Sequence, residues 1–218
     1  KDRVALTGNP IRKELFMPLT TNAHEYLGLD ANLKTIFIIG GSLGSRNIND
    51  VTMETLPSLL EKYQVIHQIG KNNLEETRKI VDAVLVNSQY RNRYKPYAYL
   101  DKLTLRSASG VADLVVSRAG STIFEIAAWG VPAIIIPISE KVSHDQIKNA
   151  YAYARTGAAI VIEEANLTGN ILYAEVNRIL GDSEIYSKMK AGAGASVHRD
   201  AAKVIAEELV KIALRHEI

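Results

Sequence analysis

The chain has no cysteine, which excludes a disulfide framework and any thiolate metal site and fits a reducing compartment. It has no excess of one charge. Lys plus Arg number 26 against 24 Asp plus Glu, a net charge of +2, so no global field draws it to nucleic acid or to a membrane surface. No apolar run approaches the ~20 residues that a membrane-spanning helix needs, and no signal peptide is recognisable. Internal repeats and low-complexity linkers are also missing. The first residue is Lys1 rather than methionine, which points to a processed or engineered N-terminal boundary. With 218 residues at 47% hydrophobic, the chain can bury a substantial core as one large domain or two small ones.

What is present is an alternation. Apolar, strand-like runs fall at Thr35–Ile39, Gln64–Ile69, Tyr94–Tyr97, Asp113–Ser117, Ala133–Ile136 and Ala159–Ile162. Between them lie helix-like segments near Arg46–Tyr63, Leu74–Val86, Lys102–Ser109, Thr122–Trp129 and His144–Thr156. In the first of these helices Ile48, Val51, Leu56, Leu59 and Leu60 recur near helical spacing. Three further helical segments, Ile171–Leu180, Ser183–Gly192 and Asp200–Arg215, close the chain. Short apolar strands alternating with helices predict an α/β fold, a Rossmann-like doubly wound parallel sheet covered on both faces. The expected organisation is a lead-in over residues 1–32, the sheet domain over 33–197 and a C-terminal helix over 198–218.

Two loops carry candidate chemistry. In "TIFIIGGSLGSRNIND" a strand empties into Gly40, Gly41, Ser42, Leu43, Gly44 and Ser45 just before a helix. Ligands of doubly wound sheets bind at the carboxyl ends of the strands, and amides at a helix N-terminus suit a phosphate or a polar sugar. A plain strand-to-helix turn would use the same residues. The spacing is not G-x-G-x-x-G, and the second strand ends "HQIGKNN" without an acid for an adenosine ribose, so a nicotinamide dehydrogenase is disfavoured. The second loop is "DLVVSRAGSTIFEIAAWGVPAIIIP". There Arg118 ends a strand, Gly120 permits close backbone approach and the Ser121 hydroxyl is expected to cap the next helix. Glu125 lies about one helical turn further on, where its carboxylate can accept from a ribose diol while phosphate sits on the amides. The bland alternative makes Glu125 a solvated helix residue and Arg118 a surface cation. Trp129 reads as core.

The segments "TGNPIR", "GGSLGSRNIN", "VIHQIGK", "SRAGSTIFEIAAWGVPAIIIP", "HDQIKNA" and "GAAIVIEEANLT" resemble, in order and register, the C-terminal half of the MurG family. These enzymes transfer N-acetylglucosamine from its UDP donor to lipid I, making lipid II for peptidoglycan. The resemblance implies the C-terminal half of a GT-B fold, with no cofactor and UDP-N-acetylglucosamine as substrate. It places Arg12 and Ser42 at the diphosphate, the backbone of Leu100 at the uracil and Leu103 as an apolar contact beside it. Arg118 and the phosphate loop of Gly120, Ser121, Thr122 and Ile123 follow, with Glu125 on the ribose and Asp145, Gln146 and Asn149 near the sugar. Two departures stand out. Arg118 to Glu125 is one residue shorter than usual, and Asp145 replaces the common His or Gln.

The resemblance also assigns the catalytic base and the lipid-acceptor surface to an N-terminal domain that this chain lacks. It implies a cytoplasmic protein whose full-length form is peripheral on the inner face of the cell membrane. None of His24, His67, His144, His198 and His216 reads as a strong candidate base, and no D-x-D pair or metal cluster is present. Other readings are a different GT-B enzyme, such as a glycolipid transferase or a UDP-sugar epimerase, and a noncatalytic nucleotide-sugar-binding subunit that needs a partner. The tyrosine-rich, basic stretch "YRNRYKPYAYL" could stack single-stranded nucleic acid. A packed strand with a polar edge is favoured, and no nucleic-acid partner is expected.

Overall fold

A computed structural model describes residues 4, 7–139, 143–193 and 200–215. Among the described residues six strands form one sheet: β1 (Thr35–Ile39), β2 (Gln64–Gln68), β3 (Tyr94–Tyr97), β4 (Leu114–Ser117), β5 (Ala133–Ile135) and β6 (Ala159–Val161). Every neighbouring pair is parallel, in the order β3-β2-β1-β4-β5-β6. The helices are α1 (Ala23–Leu27), α2 (Arg46–Lys62), α3 (Leu74–Val84), α4 (Lys102–Val111), α5 (Thr122–Trp129), α6 (His144–Ala154), α7 (Gly169–Gly181), α8 (Ser183–Ala193) and α9 (Ala201–Arg215). The expected elements are all found, with ends that move by a residue or two. His198 and His216 lie outside the described residues, as do the side chain of His144 and the expected 197/198 domain boundary.

The sequence pattern explains the two layers. In β1 the side chains alternate across the sheet, as they must at a period of two. Ile36 and Ile38 pack with Ile48, Leu56, Leu59 and Leu60 of α2 and with Leu172, Val176 and Ile179 of α7. Phe37 and Ile39 face the opposite layer, with Leu105 and Ala108 of α4, Ile123 and Ile126 of α5, and Ala150 and Tyr153 of α6. Both faces are apolar, which is why the strands read as continuous hydrophobic runs. Leu15, Ala23 and Leu27, from the segment read as a lead-in, share the second core. Trp129 is buried there and stacks on Phe37 at 6.0 Å between ring centres.

The tyrosine-rich stretch is internally committed. Tyr94 is buried, Arg91 pairs with Asp82, and Arg93 donates to the carbonyls of Leu60 and Glu61 beneath the Tyr90 ring.

His67, in the middle of the sheet, is completely buried. Its Nδ1 lies 3.0 Å from the Tyr94 hydroxyl and its Nε2 lies 3.1 Å from Asn49 Oδ1. Asn49 Oδ1 can only accept, so Nε2 carries the proton and Nδ1 accepts from Tyr94. The Asn49 amide then donates to the Ile69 carbonyl at 3.0 Å. A neutral imidazole satisfies every bond, and burial lowers its pKa from 6.5 to about 3. This placement removes His67 from the candidate bases and gives it a structural role.

A depressed folded-state pKa stabilises the native state above the unfolded value and loses that contribution as pH falls toward 3. Denaturant titrations should therefore show His67 costing about 1.4 kcal/mol of stability for each pH unit below 6.5. His67→Gln, which removes the titration, should be less stable at neutral pH but show a shallower acid slope. Parallel slopes would contradict the buried neutral assignment.

Candidate functional site

Because all six strands run the same way, Ile39, Gln68, Tyr97, Ser117, Ile135 and Val161 end at one edge of the sheet. The chain runs outward from β1 through β2 to β3, returns to β4 on the other side of β1 and runs outward again through β5 to β6. The β1/β4 boundary is therefore the topological switch point where such sheets open a crevice. The Gly-rich loop 40–45 follows β1 and the Arg118–Ser121 turn follows β4.

The Gly-rich loop is held close to the end of β2. Gly44 has φ +77°, and a Cβ there would lie 1.8 Å from the Ile69 carbonyl oxygen. Gly70, at φ +96°, would put one 2.1 Å from the Leu43 carbonyl oxygen. Two backbones in contact leave room for no side chain at either position. The loop then enters α2 through Ser45, whose hydroxyl accepts from the Ile48 amide at 3.4 Å. Ser42 and Leu43 are exposed at the tip.

Gln68 joins this loop to the one after β3. Its Nε2 donates to the Gly41 carbonyl and its Oε1 accepts from the Leu100 amide, both at 3.0 Å. The expectation that Leu100 presents its backbone to a base therefore narrows to the carbonyl, since the amide is engaged. The Leu100 side chain is buried, and Leu103 is exposed one helical turn away. Tyr99, immediately before Leu100, is 51% exposed, with Lys71 Nζ 5.8 Å from its ring centre. An exposed ring in this place can stack on a flat ligand.

Across the switch point, Arg118 is not a free surface cation. Its guanidinium donates to Ser45 Oγ at 2.7 and 3.1 Å, to the Ile136 carbonyl at 3.3 Å and to Glu164 Oε1. The side chain is only 12% exposed, so in this conformation it braces the site. Ser121 does not cap α5 as expected: its backbone is already helical at φ −59°, ψ −21°, and its hydroxyl makes no cap bond. A cap side chain reaches back only from an extended backbone, so the turn starts too tightly. Gly120, Ser121 and Thr122 remain accessible, while Ile123 is buried in the core and its amide donates to the Gly120 carbonyl at 3.2 Å.

Glu125 lies one turn into α5, with its side chain 23% exposed. Burial raises its pKa above the usual 4.5, against the opposing charge of Arg12. The Arg12 guanidinium is 3.7 Å from Glu125 Oε1, an ion pair rather than a hydrogen bond. Residues more than a hundred positions apart, both singled out in the sequence, therefore meet. The third group is more dispersed. Asp145 is exposed at the start of α6, and Gln146 Oε1 accepts from the Ile138 amide at 3.2 Å. Asn149 faces a groove between α5 and α6 together with Ile123, Phe124 and Tyr153.

The arrangement combines an acceptor carboxylate, a neighbouring cation, accessible loop amides and an apolar rim. It can bind a polar, anionic, diol-bearing ligand. Among the described residues no group of three or more His, Asp or Glu is placed to hold a metal ion. Sequence reasoning gave no role to Ser45, Gln68 and Glu164, although each is a polar residue inside a quoted motif.

A doubly wound sheet with its polar groups gathered at the switch point defines a Rossmann-type ligand-binding domain. The family model described as "Glycosyltransferase family 28 C-terminal domain" matches residues 35–205, and the chain belongs to that family. A relative from Treponema denticola is 34% identical over 165 residues, covering 74% of this chain and 42% of its own length. That relative is named UDP-N-acetylglucosamine--N-acetylmuramyl-(pentapeptide) pyrophosphoryl-undecaprenol N-acetylglucosamine transferase. The chain spans about half or less of the curated relatives it matches. The fold matches MurG of Acinetobacter baumannii with a TM-score of 0.70 at 23% identity, over 90% of this chain and 55% of that one. It also matches S. aureus MnaA in complex with UDP, with a TM-score of 0.67 at 13% identity, over 89% of this chain and 49% of the other. The expected fold, the C-terminal half of a GT-B glycosyltransferase, is borne out.

Replacing Gln68 by Ala should cost about 1–3 kcal/mol, the usual penalty for leaving a buried polar group unpaired, because the Leu100 amide loses its acceptor. Denaturant unfolding measures this. A change below about 0.5 kcal/mol, the scale of ordinary surface substitutions, would show that water replaces the glutamine.

Proposed function

We propose that this chain binds UDP-N-acetylglucosamine as the donor half of an inverting N-acetylglucosaminyltransferase that makes lipid II from lipid I. The observation that carries the reading is the half-buried Glu125 carboxylate at the start of α5 with Arg12 at 3.7 Å. A carboxylate accepts from both hydroxyls of a ribose, and a guanidinium beside it favours the adjoining phosphate. Ser42 and the amides of Gly120, Ser121 and Thr122 complete the diphosphate contacts. The Leu100 carbonyl, flanked by Leu103 and the exposed Tyr99 ring, addresses the uracil. Asp145, Gln146 and Asn149 line the sugar side, and Arg118 acts behind the diphosphate.

Residues 1–32 serve as the lead-in from an interdomain linker and the sheet domain that follows binds the donor, with α9 (Ala201–Arg215) after it. The catalytic base and the lipid-linked acceptor are supplied through a separate N-terminal domain. The full-length enzyme works at the cytoplasmic face of the cell membrane. No helix described here is long and apolar enough to cross a membrane. The reaction needs no cofactor.

Calorimetric titration tests the reading. UDP and UDP-N-acetylglucosamine should bind the isolated chain, UDP should outcompete ADP and GDP, and no lipid II should form. Charge-assisted hydrogen bonds are worth ~1.5–3 kcal/mol, so Glu125→Ala should weaken UDP by roughly ten- to a hundred-fold and abolish its preference over 2′-deoxy-UDP. Protonation removes the acceptor, so wild-type affinity should fall with pH through the raised Glu125 pKa, while Glu125→Gln stays flat. Stability has the opposite sign. A raised carboxyl pKa means that ionised Glu125 weakens the free fold at neutral pH, so Glu125→Gln should melt no lower than wild type. Unchanged UDP affinity in folded Glu125→Ala would overturn the ribose assignment.

A further inference from the structure

We propose that Glu164 is a positioning residue that sets the relative placement of the three loops forming the phosphate side of the site; this rests on the donor reading above. Glu164 lies on the single helical turn Glu164–Asn166 after β6. Its Oε1 accepts from Arg118 Nη2 and, at 3.3 Å, from Asn47 Nδ2 in the first turn of α2. Its Oε2 accepts from the Ser139 amide at 3.3 Å. One carboxylate is thus tied to the helix that follows the Gly-rich loop, to the turn after β4 and to the loop after β5.

Each connection continues inward. Arg118 passes from Glu164 to Ser45 Oγ, the cap of α2, and to the Ile136 carbonyl. The Ile136 amide donates to the Ser117 carbonyl at 2.8 Å, and the Ile138 amide donates to Gln146. Among the described residues, the side-chain hydrogen bonds that join the β4 turn and the β5 loop to the Gly-rich loop and the start of α2 run through a guanidinium and its counter-ion. Among the described residues Glu164 is the carboxylate paired with this guanidinium, which its removal would leave without that charge partner. The uracil and ribose side is held differently, through Gln68 between Gly41 and Leu100, and through Arg12 on Glu125. Loss of Glu164 should accordingly disturb diphosphate recognition and spare the nucleoside.

The experiment compares wild type, Glu164→Ala and Glu164→Gln in the full 218-residue chain. UDP and uridine binding are followed by ligand-observed NMR, and hydrogen exchange is read without ligand. In Glu164→Ala, UDP affinity should fall by roughly ten-fold or more, the scale of a small misplacement of supporting groups, while uridine affinity is unchanged. Exchange should accelerate at residues 40–47, 118–122 and 136–139 and stay unchanged in β2 and β3. Glu164→Gln, which keeps an acceptor oxygen without the charge, should recover part of the UDP affinity. Equal UDP affinity in wild type and Glu164→Ala overturns the proposal while leaving the donor reading intact. Parallel loss of UDP and uridine with faster exchange throughout the sheet also overturns it, because that describes a general structural residue. Absence of UDP binding to wild type overturns the donor reading and this proposal with it.

Discussion

The seam between β1 and β4 is where a doubly wound sheet must come apart, and a guanidinium bridges it. Strands on either side of the boundary feed loops that diverge, so no backbone ladder continues past Ile39 and Ser117. Arg118 supplies the missing connection: it ends β4, reaches the helix cap Ser45 beyond β1, and holds the exit of β5 through Ile136. An Arg suits this place because its planar fork donates in several fixed directions at once. Its counter-ion Glu164 is held below the usual carboxyl pKa. Burial works against its charge, but hydrogen bonds from Arg118 and Asn47, the Arg118 charge and the Ser139 amide outweigh it. The open crevice of the fold is thereby given a defined width.

Polar groups in this domain divide into two populations with different physics. Inside, His67 is paired between Tyr94 and Asn49, and Gln64 between the Asp30 and Leu33 carbonyls and the Thr35 hydroxyl, whereas the buried Thr55 and Ser117 hydroxyls, Trp129 Nε1 and the Tyr153 hydroxyl have no hydrogen-bond partner among the described residues. In a low-dielectric interior such networks fix backbone geometry, and leaving one member unpaired is costly. The others stand at the carboxyl edge with incomplete partners. Glu125 has a cation at ion-pair distance but no hydrogen bond from it, and burial keeps its carboxyl reluctant to ionise. Arg12 is more than half exposed. Groups held in this partly satisfied state gain from a ligand that completes their bonding, which separates a binding edge from a structural interior.

The two glycines in mutual backbone contact, Gly44 and Gly70, show how the core and the edge are coupled. Asn49 and Asn73 both donate to the Ile69 carbonyl beside that contact. The buried His67 network thus reaches, through Asn49, the loop that presents Ser42. Packing in the middle of the sheet and geometry at the candidate site are linked by a few short hydrogen bonds.

Strand and helix positions were legible in the amino-acid sequence because both depend on local pattern. β-Branched or aromatic runs and helical spacing located Thr35–Ile39, Tyr94–Tyr97 and Thr122–Trp129 to the residue, and the alternation of elements required a parallel sheet. The Gly-rich loop, Arg12 and Glu125 were also visible, through ordered motifs resembling a known family. Which of these side chains remain available was decided only by tertiary structure. Arg118 looked like a ligand cation until Glu164, 46 residues away, was found paired with it. The Leu100 amide looked free until Gln68, 32 residues earlier, was found bonded to it. Ser121 has a good cap side chain but the wrong backbone angles. Residue type states what a group can bond to, but a long-range partner determines whether that capacity is already used. No local spacing in the chain encodes that distance.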